Sequence, residues 1–218
     1  ESLSAEFNKI YGLQFQPVFN APVFNASEIR DKCISESFIL YQGVVNKDRG
    51  FQSILPAMKI VNANLKVCGD GNYLSDAKQL VKDLRIEDKV EFVGNVLPDD
   101  LRKITQMAYI GLNTVERLGM SNYLSLSNRT FDYMHAGVPQ LAMNFPEYRK
   151  INDEFEIAVL INELDEKHIV DAINLLINDK SLYQKLQRNC LKASQKYNWT
   201  NEEKKLLIFY KNLFLEKP

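Results

Sequence analysis

The sequence predicts an α/β fold, a Rossmann-like, doubly wound parallel sheet of about six strands with helices on both faces and a helical C-terminal tail. Three observations carry this. Short apolar, β-branched runs alternate with helical-period segments from residue 37 to 162. The connections between them are short, as βαβ units require. No repeat or low-complexity tract interrupts the alternation.

The elements follow in order. ESLSAEFNKIYG (1–12) reads as a helix ending at Gly12, FQPVF (15–19) as a short strand, and NAPVFNAS (20–27) as a Pro/Asn-rich connector. SFILYQGVV (37–45) reads as a buried strand. RGFQSILPAMKIV (49–61) has helical spacing at Phe51, Ile54, Leu55, Met58 and Val61, with Pro56 an internal irregularity. NLKVCG, KVEFVG, AYIGLNTV, VPQLAM and IAVLIN supply further strands. LSDAKQLVKDL, PDDLRKITQM and PEYRKIND supply helices, two of them with proline at the first turn. SNRTFDYMHAG (127–137) reads as a helix with Ser127 as N-cap and Gly137 just past its end. Residues 165–215 read as helices throughout.

Composition excludes several classes. The 218 residues are 45% apolar, enough for one large core, and carry a net charge of −1 without blocks of like charge. Nucleic-acid binding therefore has no electrostatic footprint. The apolar runs are too short to span a bilayer. Cys33, Cys68 and Cys190 are odd in number and far apart, which fits buried thiols and neither a disulfide framework nor a zinc site. The chain opens on Glu1 rather than Met, the expectation being a processed chain or a piece of a longer one.

In a doubly wound sheet, ligands gather beyond the carboxyl ends of the strands, so the segments there matter most. NKDRG (46–50) offers Lys47 and Arg49 beside a helix start, a pattern suited to phosphate but shared with ordinary turns. GDGN (69–72) lacks the third glycine of a dinucleotide fingerprint, and no nucleotide phosphate loop is present. Asp99 and Asp100 suit a helix N-terminus better than a metal. ERLGMSNYLSLS (116–127) is a long Ser/Asn-rich loop leading into the 127–137 helix. Within that helix Asn128, Arg129 and Asp132 are spaced to be neighbours. His135 and His168, the only histidines, form no catalytic pairing readable from sequence.

Taken together, YQGVVNKDRGFQSILPAM, LKVCGDG, VEFVGNVLPDDL, SLSNRTFDYMHAGVPQLA with FPEY, and YNWTNEEKKLLIFYKNL resemble the C-terminal, donor-binding half of GT-B glycosyltransferases of the retaining group 1 type. The resemblance runs from about residue 18 to 215. It implies an enzyme that moves a sugar from a nucleotide-diphosphate sugar to an acceptor hydroxyl, in bacterial polysaccharide or lipopolysaccharide-type synthesis. The implied donor-binding residues are Gly43, Lys47, Arg49, Gly71, Asn95, Val96, Ser127, Asn128, Arg129 and Asp132. Arg49 is expected on the diphosphate, Asn95 and Val96 on the nucleobase, and Asp132 on the ribose hydroxyls. Arg49 and Arg129 are the expected catalytic cations, with no metal or other cofactor required.

The resemblance has departures. Leu124 stands where the first acid of the E-x7-E motif belongs, so that role is vacant or falls to Glu116 or to a serine or asparagine of 121–128. Asp132 replaces the commoner Glu, and Val44 a common arginine. The resemblance further implies acceptor recognition, of a glycan or lipid-linked substrate, by an N-terminal domain that is missing here. The isolated chain is then expected to be inactive. The implied location is cytoplasmic, peripheral at the inner membrane at most. The expected divisions are residues 1–26 (end of an N-terminal domain and linker), 27–196 (nucleotide-sugar-binding domain) and 197–218 (closing helix). Alternatives are a degenerate nucleotide-sugar-binding module, which Leu124 favours, and a sugar-nucleotide epimerase.

Overall fold

The computed structural model describes residues 1–25 and 37–215. Cys33 and the end of the expected connector, residues 26 and 27, lie outside the described residues. The strands are β1 (Ile39–Gln42), β2 (Leu65–Cys68), β3 (Val90–Gly94), β4 (Ile110–Asn113), β5 (Gln140–Met143) and β6 (Ala158–Ile161). They form one parallel sheet in the order β3-β2-β1-β4-β5-β6. Side-chain burial explains the order. Every residue of β1, β4 and β5 is buried, as a strand covered on both faces requires, whereas β3 alternates and sits at an edge.

The helices are α1 (Ser2–Tyr11), α2 (Phe51–Ile60), α3 (Leu74–Leu84), α4 (Pro98–Met107), α5 (Gly119–Leu124), α6 (Arg129–His135), α7 (Pro146–Phe155), α8 (Glu166–Asn178), α9 (Lys180–Lys196) and α10 (Trp199–Leu215). α2 packs against α3 and α8, and α6 against α4 and α9. Right-handed crossovers put these two groups on opposite faces of the sheet. The larger core is built on Tyr41, Phe51, Ile54, Leu55 and Met58; a smaller one under α4 and α6 joins Leu40, Cys68, Tyr133 and Val138. Cys68 and Cys190 are buried thiols, and burial pushes the Cys68 thiol up to about 11.

Three expectations need correction. FQPVF (15–19) is not a strand. Its chain meets side chains instead of a sheet edge, the Phe15 N–H donating to Asn8 Oδ1 and the Phe19 N–H to Glu202 Oε2. Residues 116–127 are not wholly a loop, because they contain α5, seated by Tyr123 against Phe145. Ser127 does not cap α6: Asn128 holds that position without a side-chain bond, and the Ser127 hydroxyl bonds to Asn113 instead. Its proton goes to a buried carboxamide oxygen 14 residues away and its oxygen accepts from the Tyr148 hydroxyl.

Elsewhere the reading and the structure agree. α2 continues through Pro56, and Gly12 and Gly137 adopt left-handed conformations at φ 65° and 61° just past their helices. Toward its C-terminus, α10 exposes Leu207, Ile208, Phe209, Tyr210, Leu213 and Phe214. Among the described residues no helix is long and apolar enough to cross a membrane.

β4 lies close to α6 at one point, Gly111. A Cβ there would come within 2.4 Å of the Tyr133 ring, which is fully buried and whose hydroxyl donates to the Leu40 carbonyl at 3.0 Å. The ring cannot retreat without losing that bond. Gly111→Ala should therefore destabilise the fold by about 1–3 kcal/mol, the usual cost of overpacking a filled core. Urea unfolding monitored by circular dichroism checks this; an unchanged midpoint would show that Tyr133 moves freely.

Candidate functional site

The sheet order reverses between β1 and β4, and a cleft opens there beyond the carboxyl ends of the strands. β1 and β4 pair only through Ile39–Ile110 and Leu40–Gly111, whereas β1 stays with β2 as far as Gln42–Cys68. Past Leu40 and Gly111 the central strands thus part. Arg129 fills the gap. Its guanidinium donates to the Gln42 carbonyl (3.1 Å), the Thr114 carbonyl (3.1 Å) and Asn113 Oδ1 (3.0 Å), and lies 4.5 Å from the centre of the Tyr41 ring.

Arg129 is 8% exposed and has no carboxylate within ion-pair distance among the described residues. Carbonyl dipoles and a π face take the place of a counter-ion. Around it runs a polar network. Asn113 Oδ1 also accepts from Ser127 Oγ at 2.7 Å, Asn113 Nδ2 donates to Gln140 Oε1, and Gln140 Nε2 donates to the Thr130 carbonyl. No described buried side-chain polar atom is left without a partner. The expectation that Arg129 presents its charge freely to a ligand is thereby narrowed, since three of its N–H donors are already engaged.

The cleft above this floor has a volume of 470 Å³. It is lined by Gln42, Gly43, Val44, Arg49, Leu101, Val115, Ser121, Asn122, Ser125, Ser127, Asn128, Arg129, Asp132 and Tyr148. A second hollow of 560 Å³ adjoins it, sharing Gln42, Leu101, Asn128 and Asp132, and bounded by Val96, Pro98, Arg102, Thr105, Gln106, His135 and parts of residues 20–25. Asp132 stands on the ridge between the two. Six of the expected site residues therefore converge on the cleft: Gly43, Arg49, Ser127, Asn128, Arg129 and Asp132. Val96 faces the adjoining hollow. Lys47, Gly71 and Asn95 line neither.

The reasons differ for these three. Lys47 is exposed on a 3-10 turn, Lys47–Arg49. Gly71 is held by a close backbone approach, where a Cβ would stand 2.4 Å from the Val45 carbonyl oxygen. Asn95 follows β3 and is exposed. The 3-10 turn is itself firmly tied to β4 and α5. Thr114 Oγ1 donates to the Arg49 carbonyl (2.8 Å), the Glu116 N–H to the Asp48 carbonyl (2.8 Å), and Asn122 Nδ2 to Asp48 Oδ2 (2.9 Å). Arg49 Nε sits 3.7 Å from Asp48 Oδ1, a loose contact that leaves most of the guanidinium's donors for the cleft.

Asp132 does not pair with its helix neighbours Asn128 or Arg129. Its Oδ2 accepts from Gln42 Nε2 at 2.8 Å, and Gln42 Oε1 lies 2.8 Å from Thr105 Oγ1. Burial pushes the Asp132 carboxyl up to about 6, against the Gln42 hydrogen bond and the positive charge of Arg102. Sequence reasoning missed Gln42, Thr105, Asn113 and Gln140. A signal existed for three of them: Gln42, Asn113 and Gln140 are carboxamides inside apolar strands, and a buried strand admits such a group only where it has partners. Where the first acid was sought, Leu124 closes α5, and Ser121, Asn122 and Ser125 line the cleft instead; Glu116 does not.

Known proteins show the same architecture. Pneumococcal O-GlcNAc transferase GtfA, solved with UDP and GlcNAc, superposes with a TM-score of 0.75 at 13% identity, over 97% of this chain and 43% of its own. The C-terminal domain of the glycosyl transferase group 1 family protein LpcC from Francisella tularensis superposes with a TM-score of 0.63 at 17% identity, over 77% of this chain and 89% of its own. Among curated sequences, alpha-monoglucosyldiacylglycerol synthase of Streptococcus pneumoniae (strain ATCC BAA-255 / R6) is 29% identical over 116 residues, 49% of this chain and 26% of that protein. The chain thus spans about a quarter of that curated relative. The profile of the glycosyl transferases of group 1 matches residues 27–197, most of the chain. The chain belongs to the group 1 glycosyl transferase family.

Proposed function

We propose that this chain is the donor-binding half of a glycosyltransferase, holding a nucleotide-diphosphate sugar in the switch-point cleft. The observation that carries the proposal is the pairing of a cationic floor, Arg129 and Arg49, with an acceptor-only carboxylate, Asp132, at the ridge between two hollows. A nucleotide diphosphate has matching parts. Its diphosphate meets Arg49, its ribose diol donates to Asp132, and its base enters the hollow beside Val96. UDP accompanies the related structure of GtfA, which supports a uridine nucleotide as the first ligand to try.

In the reaction the bond to the diphosphate oxygen breaks, negative charge gathers on the leaving group, and the acceptor hydroxyl attacks the anomeric carbon from the same face, its proton passing to the departing diphosphate oxygen. Arg49 stabilises that charge directly, while Arg129, buried beneath, contributes its field. The resemblance to retaining enzymes of glycan synthesis supports transfer with retention. Acceptor recognition is assigned to a further domain of a longer protein, for which the exposed apolar side of α10 offers a surface. On this reading the 218 residues alone bind donor but do not transfer sugar. With Arg49 and Arg129 supplying positive charge, donor binding should be unaffected by chelators.

Titration calorimetry with UDP and GDP tests the assignment. Wild type should bind one of them, with or without EDTA, and Arg49→Ala should weaken binding about tenfold, the loss of one charge-assisted contact. Unchanged affinity in Arg49→Ala would remove the diphosphate from this cleft.

Asp132 gives a pH test with a definite sign. Its folded-state value, about 6, lies above its ordinary value of 3.8, so its contribution to stability is complete at pH below the unfolded value and is lost as pH rises through 6. Asp132→Asn should therefore gain stability relative to wild type between pH 4.5 and 7, by thermal melting. A ribose diol needs the charged form, so UDP affinity of wild type should rise over the same window more steeply than that of Asp132→Asn. Parallel profiles for the two proteins would place the ribose elsewhere.

A further inference from the structure

Gln42 has no part in the reading above, yet it makes the one side-chain hydrogen bond to Asp132 found among the described residues. It is 3% exposed, at the carboxyl end of β1, and Thr105, 2% exposed on α4, touches the other end of its amide. A residue of β1 thus holds Asp132, and a residue of α4 holds that residue. Asp132 Oδ2 is occupied by Gln42 Nε2, whereas Oδ1 has no hydrogen-bond partner among the described residues and is not sealed from solvent. Oδ1 is thus the carboxyl oxygen left for a ligand on a residue that lines the cleft.

We propose that Gln42, fixed by Thr105, is the positioning residue that aims Asp132 Oδ1 at the ligand's ribose diol and so makes the site selective for ribonucleotides. The inference rests on the nucleotide reading of the cleft. Two physical arguments support it. An aspartate is one methylene shorter than a glutamate, so its reach depends on its rotamer being held. Gln42 holds it from 90 residues away with a bond to a charged acceptor.

The second argument is that glutamine suits either protonation state. The Thr105 hydroxyl lies 2.8 Å from Gln42 Oε1 and 2.7 Å from the Leu101 carbonyl, but it has one proton to give. With Asp132 charged, Thr105 donates to Gln42 Oε1 and Gln42 Nε2 donates to Asp132. With Asp132 protonated, the reversed amide accepts the acid proton on Oε1, Nε2 donates to Thr105, and Thr105 donates to Leu101. The Gln42 oxygen, the Gln42 nitrogen and the Thr105 hydroxyl each keep a partner in both arrangements. Among the described residues, the charged or titratable groups near the carboxyl are Arg102 from α4 and Arg129, Tyr133 and His135 from α6. β1 carries Tyr41, whose hydroxyl donates to the Val44 carbonyl, and residues 20–25 bring none. A ligand diol stabilises the first arrangement, because it needs the carboxylate as acceptor.

The test compares UDP with 2′,3′-dideoxy-UDP by calorimetry in wild type, Gln42→Leu and Thr105→Val. Wild type should prefer UDP. In Gln42→Leu that preference should fall about tenfold while affinity for the dideoxy nucleotide stays the same, and Thr105→Val should show a smaller fall of the same kind. A merely structural role for Gln42 would weaken both nucleotides alike. A preserved preference in folded Gln42→Leu overturns the inference while leaving the nucleotide site intact. If Gln42→Leu does not fold, an unaltered preference in Thr105→Val overturns it equally. Failure of wild type to bind UDP or GDP at all overturns the nucleotide reading, and this role with it.

Discussion

The structure turns on one buried cation. A parallel sheet whose strand order reverses must let its two central strands part at their carboxyl ends, and the parting leaves backbone carbonyls without ladder partners. In this chain those carbonyls belong to Gln42 and Thr114, and the Arg129 guanidinium bridges them. Burying a charge costs several kcal/mol unless hydrogen bonds replace its water. Here a planar fork meets three oxygens at 3.0–3.1 Å, and an aromatic face adds to them. Lysine, with its compact ammonium, could not span the same three acceptors. Because Arg129 is the first residue of α6, its bonds also fix where that helix begins, and hence where Asp132 stands one turn later.

The carboxamides behind Arg129 extend the same logic. Asn113 receives both Arg129 and Ser127 on one oxygen and donates to Gln140, which in turn holds the Thr130 carbonyl. The network ties the last residues of β4, the start of β5 and the approach to α6 into one unit. Such a network rigidifies only when every member is satisfied, and here each is. The expected cap on α6 is absent, and the Ser127 hydroxyl joins this network instead. Tyr148 adds a further bond from α7 to the same hydroxyl at 3.1 Å. The cleft wall is therefore an extension of the sheet and not a mobile loop.

What the sequence made legible was whatever local periodicity decides. The strand and helix alternation, the position of the cleft at the strand ends, and the helices at 74–84 and 98–107 all follow from patterns within a dozen residues. FQPVF misled because β-branched and aromatic residues satisfy a strand pattern whether or not a sheet edge is near; here Asn8 and Glu202 met its N–H groups instead. Asn128, Arg129 and Asp132 misled in the opposite way. Helical spacing makes them neighbours, but Arg129 answers to β1 and β4, and Asp132 to Gln42. Local rules rank the partners within one helix and cannot see a competitor 90 residues away. The carboxamides in β1, β4 and β5 were the one non-local clue that the sequence did contain.

Leu124 acquires a different meaning in this setting. Leu124 closes α5 without lining the cleft that holds Asp132, so the side chains that α5 turns to that cleft are not its own. The ionisable groups lining the cleft are Arg49, Arg129, Asp132 and Tyr148, and with Asp132 charged the two guanidiniums leave a single positive excess. The nucleotide diphosphate proposed for this cleft brings at least two negative charges, so another carboxylate would turn a favourable balance into a neutral one against an anion. α5 presents Ser121 and Asn122, with Ser125 just beyond, and all three are neutral groups able both to donate and to accept. They can hydrogen-bond sugar hydroxyls without changing the charge of the site. The neutral side chains of α5 and the burial of Arg129 thus push in the same direction. Both keep the floor of the cleft positive, Arg129 by placing a cation there without a carboxylate partner, and α5 by withholding one from the wall.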